Sequence, residues 1–283
     1  MRISALTRVR QDYGYLQGKA GKGEKGWTEP DGNGRIAVGI EPAEIKTKEG
    51  IFMSEAKKTG HFRLTSQEHY SEAFCTSAFL ALSGGFQDAY TYNCRDGVFS
   101  NAQTGNIVLM SQHLMQGEWG RCLHYFVPVV AFALGVLISE QIQHRYKYAK
   151  KMHWRQGILL AEIAILFAVG FIPASFNVAA TVLVSLSCAM QVQTFRKVGG
   201  YSYASTMCIG NLRGGMEALS VYLREHKKGQ LRQASYYFGV IFLFAIGAGI
   251  GGVLSVNYGI RVIWVSCVLL LVSFILMALD RFN

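Results

Sequence analysis

The chain has 283 residues, 51% of them apolar and only 16% charged, and its mean hydropathy is +0.21. Length alone would allow one or two soluble domains, but long uncharged runs exclude them. The net charge of +10 does not point to nucleic acid, because the basic residues sit in loops that flank apolar runs, a membrane-topology pattern.

Residues 1–72 hold 12 Lys/Arg and 10 Asp/Glu, and residues 73–283 hold 16 and 8. The stretch 18–34, GKAGKGEKGWTEPDGNG, is too polar and glycine-rich to build a core, so 1–72 is expected to be a polar, largely disordered cytoplasmic extension. It lacks the apolar core of a signal peptide. Met53 opens MSEAKKTGHFRLTSQEHYSEAF, an ordinary lead-in to a first span, and is expected to be the natural start.

Crossing a bilayer takes about 20 apolar residues. Spans are expected at 73–92, at 123–139 with Pro128 as a tolerated kink, at 157–172 ended by Pro173, at 177–195, within the uncharged run 233–260, and at 262–279. The fifth carries Gly247, Gly249, Gly251 and Gly252, a small-residue face on which another helix can pack closely.

Two further segments, 104–116 and 207–223, are short or charged for a full crossing; the second contains Arg213 and Glu217. Loop charge decides between topologies. The loop 144–155 holds five Lys/Arg and 224–232 holds four. If neither short segment crosses, 13 Lys/Arg beyond residue 72 lie inside and three (Arg95, Arg121, Arg261) outside, which satisfies the positive-inside bias. The expected fold is therefore an all-α polytopic membrane bundle of six spans and two re-entrant half-helices, with both termini cytoplasmic. Each half, 73–172 and 173–283, then has three crossings, so the halves are inverted repeats, a pattern of secondary transporters.

The chain is organised around GGFQDAYTYNCRDGVFSNAQTGNIVLMSQHLMQ, residues 84–116, and a weaker copy, SYASTMCIGNLRGGMEALSVYL, residues 202–223. Matching Gly105-Asn106 to Gly210-Asn211 also aligns Ser100 with Ser205. Asp88 is the sharpest feature, since a carboxylate in a span costs about 2.5–3.5 kcal/mol and faces a cavity or a partner; the alternative is hydration near the outer interface. Glu162 either pairs with a buried polar group or lies near the inner interface. Gln87, Gln191, Gln193 and Thr194 read as interhelical glue or, being beside both motifs, as ligand groups. Asn101, Gln103, Thr104 and Asn106 can satisfy exposed backbone or a ligand. Gly105 and Gly210 are expected where a turn or close approach forbids a side chain, and each motif then opens a helix N-terminus with free N–H groups. The bland reading is a polar loop capping an interfacial helix. With Asn211 and the charge of Arg213, the set favours an anionic or strongly polar ligand, with Asp88 as a proton or cation site.

Gly84, Gly85, Asp88, Ala89, Asn101, Gln103, Thr104, Gly105 and Asn106, with the later Gly210-Asn211-Leu212-Arg213, resemble the YoaK-type family of bacterial polytopic membrane proteins, a domain-of-unknown-function family. The resemblance covers about residues 73–280, and Ile209 stands where Thr would mirror the first motif. It implies a bacterial inner-membrane location and several spans, and brings no substrate.

The six cysteines form no CxxC pair and the seven histidines no ligand spacing, so neither metal nor cofactor is expected. No nucleophile–base or phosphate-cradling motif supports an enzyme. The leading reading is a small-molecule or ion transporter, proton-coupled through Asp88; the alternatives are a channel-like pore and a non-transporting sensor or scaffold.

Overall fold

The computed structural model describes residues 74–146 and 153–279. The expectations for 1–72, for Met53 and for the middle of the 144–155 loop lie outside the described residues.

Eight α-helices are described: α1 Phe74–Cys94, α2 Gln103–Met115, α3 Trp119–Tyr146, α4 Trp154–Val169, α5 Asn177–Thr194, α6 Cys208–Glu225, α7 Lys228–Tyr258 and α8 Trp264–Leu279. A two-residue antiparallel pair, β1 Lys197–Val198 and β2 Tyr201–Ser202, lies in the turn before α6. Local chemistry sets the ends. The His153 side chain accepts the Arg155 N–H at the start of α4, and α6 stops where His226 turns left-handed, with φ 51°. Gly259, at φ 69°, separates α7 from a 3₁₀ turn leading into α8.

Among the described residues three helical stretches are long and apolar enough to cross a membrane by length and composition: Trp119–Tyr146, Ala174–Thr194 and Lys228–Leu279, the last comprising α7, the turn and α8. At 1.5 Å per residue α2 spans only about 20 Å, short of a hydrocarbon core of about 30 Å. α1 is long enough but rich in polar groups, with Thr76, Ser77, Ser83, Gln87, Asp88 and Thr91 all buried.

The helices pack in a matched pattern. α1 lies on α7 and α8, while α5 lies on α3 and α4. α2 packs on the long helix that follows it, α3, and α6 does the same on α7. Small residues bring the backbones together. A Cβ at Gly85 would collide with the Phe244 carbonyl oxygen, one at Gly247 with that of Leu82, and one at Gly251 would lie 2.8 Å from the Phe86 backbone. Gly135 on α3 approaches α5 at Leu186 and Ala189 in the same way. Of the expected small-residue face, Gly249 meets open space instead.

Arg95, counted by sequence as an outer-loop charge, is held inside the protein rather than in solvent. It is fully buried. Its Nε donates to Tyr90 Oη at 2.9 Å, Nη1 to Asn177 Oδ1 at 2.9 Å, and Nη2 to the Val169 and Ile172 carbonyls at 3.1 and 3.0 Å. The guanidinium therefore ties the end of α1 to the C-terminal end of α4, where the helix dipole is negative, and to the start of α5.

Candidate functional site

At both motifs an asparagine in the first turn of a short helix folds the preceding loop back onto that helix. Asn106 Oδ1 accepts the Phe99 N–H at 3.1 Å, and its Nδ2 donates to the Phe99 carbonyl at 2.7 Å and to Gln103 Oε1 at 2.9 Å. Asn211 repeats the two-point clamp: Oδ1 accepts the Ala204 N–H at 3.2 Å and Nδ2 donates to the Ala204 carbonyl at 2.6 Å. Each amide plays the part of a neighbouring strand, satisfying backbone groups that would otherwise be buried unpaired. Both side chains are fully or nearly fully buried, so they hold the loops and do not face a ligand.

Each loop is also tied to the first helix of its half. Asp88 on α1 accepts the Ser100 hydroxyl at 2.9 Å and the Asn101 N–H at 2.7 Å, both at Oδ1. Asn101 Nδ2 donates to the Gly84 carbonyl at 3.2 Å. On α5, Gln191 Nε2 donates to Ser205 Oγ at 3.0 Å and to the Leu80 carbonyl at 3.1 Å.

A cavity of about 920 Å³ opens between these loops. Asp88, Ala89, Tyr92 and Asn93 of α1 line one side, with Phe99, Asn101, Ala102, Gln103 and Thr104 from the first motif. Thr206, Met207, Cys208, Ile209 and Gly210 enter from the second motif. Val129, Phe132 and Ala133 of α3 and Phe244, Ala248 and Gly252 of α7 complete the wall. The starts of α2 and α6 thus border one space.

Of the sequence candidates, Asp88, Asn101, Gln103, Thr104 and Gly210 line this cavity, while Gln87, Gly105, Asn106, Gln191, Asn211 and Arg213 do not. Gln87 is spent in a buried polar cluster. Its Nε2 donates to Ser83 Oγ at 2.8 Å and Ser266 Oγ at 3.0 Å, and its Oε1 accepts from Cys188 Sγ at 2.8 Å. Glu162 is fully buried, and no close hydrogen bond reaches either oxygen, although Gln87 and Ser187 lie in range. Arg213 is exposed and off the lining, so the expected preference for an anion loses its carrier.

The glycine expectation needs correction. Gly105 and Gly210 are not among the positive-φ residues; those in the two loops are Asp96, Gly97, Gly199 and Gly200. A Cβ at Gly105 would lie 3.1 Å from the Phe99 ring, a close approach, whereas at Gly210 it would meet nothing within 4 Å. Sequence reasoning missed the aromatic wall, including Tyr92 stacked on Phe99 with ring centroids 5.0 Å apart, because an aromatic in a span reads equally well as lipid-facing and Phe99 sits in the loop between α1 and α2. It also left Ser100 and Ser205 without a role; their alignment was the signal.

The chain is similar to a UPF0700 transmembrane protein, YoaK, of Bacillus subtilis (strain 168), at 25% identity over 205 residues, covering 68% of this chain and 88% of that protein. No solved structure matches it. The family model described as Protein of unknown function (DUF1275) matches residues 76–276, and the chain belongs to that family of membrane proteins.

Proposed function

We propose that this protein is a small-molecule transporter of the bacterial inner membrane, built as two inverted halves of three spans and one half-helix each, with both termini cytoplasmic. The observation that carries this reading is one cavity bordered by the starts of both α2 and α6 and by Asp88. Discontinuous helices meeting at one site between two repeats are what alternating access uses. The repeated asparagine clamp and the matched packing of α1 and α5 on the opposite half support the repeat. Asp88, buried yet on the cavity wall, is the group through which a proton or cation would be coupled.

Reconstituted vesicles and a metabolite-uptake comparison between a deletion strain and its complement test the reading. Saturable, gradient-dependent flux is the expected outcome. Flux without saturation would make the protein a channel, and no flux together with a stable partner on pull-down would make it a scaffold.

A further inference from the structure

The cavity wall is mostly aliphatic and aromatic, with Asn93, Asn101, Gln103, Thr104 and Thr206 as its neutral polar side chains. Among its described lining residues Asp88 is the one Asp, Glu, Lys, Arg or His. Its carboxylate is tied to the first-motif loop by the Ser100 hydroxyl and the Asn101 N–H and lies on the cavity wall. Beside it, Tyr92 and Phe99 form a stacked aromatic pair on the same wall, and aromatic faces attract cations. The other titratable groups near Asp88 are the thiols of Cys188 on α5 and Cys208 on α6 and the phenol of Tyr92 on α1. The α3 and α7 sides of the cavity contribute only apolar side chains and glycine. Among the described residues no basic side chain lines the space to balance an incoming anion, and the volume is near the top of the range of about 300–1,000 Å³ typical of pockets for drug-sized ligands.

We infer that the cavity takes a bulky lipophilic monovalent cation, its apolar body against Phe132, Phe244 and the Tyr92–Phe99 pair and its positive charge at Asp88. This deepens the transport reading and rests on it for the choice of site. When the cation arrives at a protonated Asp88, the carboxyl O–H bond breaks and one proton leaves to water. Cation and proton therefore compete for one carboxylate, and cation binding weakens as pH falls.

Two probes of the same shape and opposite charge separate the alternatives: tetraphenylphosphonium and tetraphenylborate. Equilibrium binding of each to the purified full chain in lipid nanodiscs, with empty nanodiscs subtracted, is the measurement. Saturable one-to-one binding of tetraphenylphosphonium is expected, weaker at lower pH, with no saturable binding of tetraphenylborate. Asp88→Asn keeps an oxygen acceptor for Ser100 and Asn101 but removes the charge, and should weaken tetraphenylphosphonium binding by about tenfold or more. Ala133→Phe leaves Asp88 untouched and fills the cavity from α3, and should remove binding as well; it keeps the test decisive if the Asp88 variant does not fold. Equal or tighter binding of tetraphenylborate, or wild-type tetraphenylphosphonium binding in either folded variant, overturns the inference. Cation binding without vesicle flux would sink transport and leave this site standing. Saturable uptake of an anion, with no tetraphenylphosphonium binding, would sink the cation site and leave transport standing.

Discussion

The two motif regions share a skeleton and differ at one atom type. In both, an asparagine amide clamps the backbone seven residues before it, and a serine in the loop bonds to a side chain on the first helix of its half. At the first motif the serine hydroxyl donates to a carboxylate, Asp88; at the second an amide, Gln191, donates to the serine. The fold needs a polar partner at that place in each half. Only the first half supplies one that can carry charge, and only that one lines the cavity. The shared parts are therefore scaffold, and on the proposed transport reading the difference between the halves is where function would lie.

The clamps should show the largest effect. Asn106→Ala and Asn211→Ala each strand a part-buried N–H and carbonyl, at up to about 1–3 kcal/mol per group. Both variants should lose thermal stability in detergent by similar amounts. A large loss in one and none in the other would break the equivalence of the two regions.

The helix-borne partners come next, and here the halves should diverge. Gln191→Leu removes the donor to Ser205 and to the Leu80 carbonyl and should cost about 1–3 kcal/mol of stability while leaving cation binding in the surviving folded protein unchanged. Asp88→Asn should do the reverse, with stability within about 1 kcal/mol of wild type and binding lost. Measuring stability and binding on both variants sharpens the comparison; if Gln191→Leu changes binding at constant stability, the asymmetry is wrong.

Much of this architecture is legible in the residues. Uncharged runs such as 233–260 have few other uses than crossing a membrane; helices are described close to each expected segment, and among the described residues three stretches are long and apolar enough to cross. Asp88 stands out because a carboxylate within an apolar run has to be accommodated. Other roles were not legible, for identifiable reasons. The clamp partners of Asn106 and Asn211 are backbone groups, which carry no residue signature. Arg95 follows a helix and precedes a polar loop, so it reads as exposed until α4 and α5 are placed around it. Charge alone draws Arg213 into the site, although Arg213, Glu217 and Arg224 recur on one face of α6. The glycine pair misled because an aligned glycine suggests a special φ, whereas Gly105 is close to Phe99 and Gly210 stands in the open.

Smaller effects follow from that last contrast. Gly105→Ala should destabilise by under about 1 kcal/mol, since the Phe99 ring must give way at 3.1 Å. Gly210→Ala should be neutral or slightly stabilising, because alanine is favoured over glycine in helices by about 0.5–1 kcal/mol. Thermal melts of the two variants distinguish this from a shared strained turn, which would damage both. The smallest effect belongs to Arg213→Gln, which should leave the binding of either tetraphenyl probe unchanged, because the side chain is exposed away from the cavity lining.

The central claim, that the two short helices begin at one shared cavity, is open to a direct thiol measurement. Native Cys208 and Thr104 both line that space. With the other five cysteines replaced and Thr104→Cys introduced, a bifunctional maleimide spanning about one helix diameter, 10–12 Å, should bridge the two thiols in membranes. Intact mass should then show one reagent consumed per monomer. Two separate additions, or no bridging at any reagent length while a monofunctional maleimide labels both thiols, would place the two motifs at different sites and contradict the account.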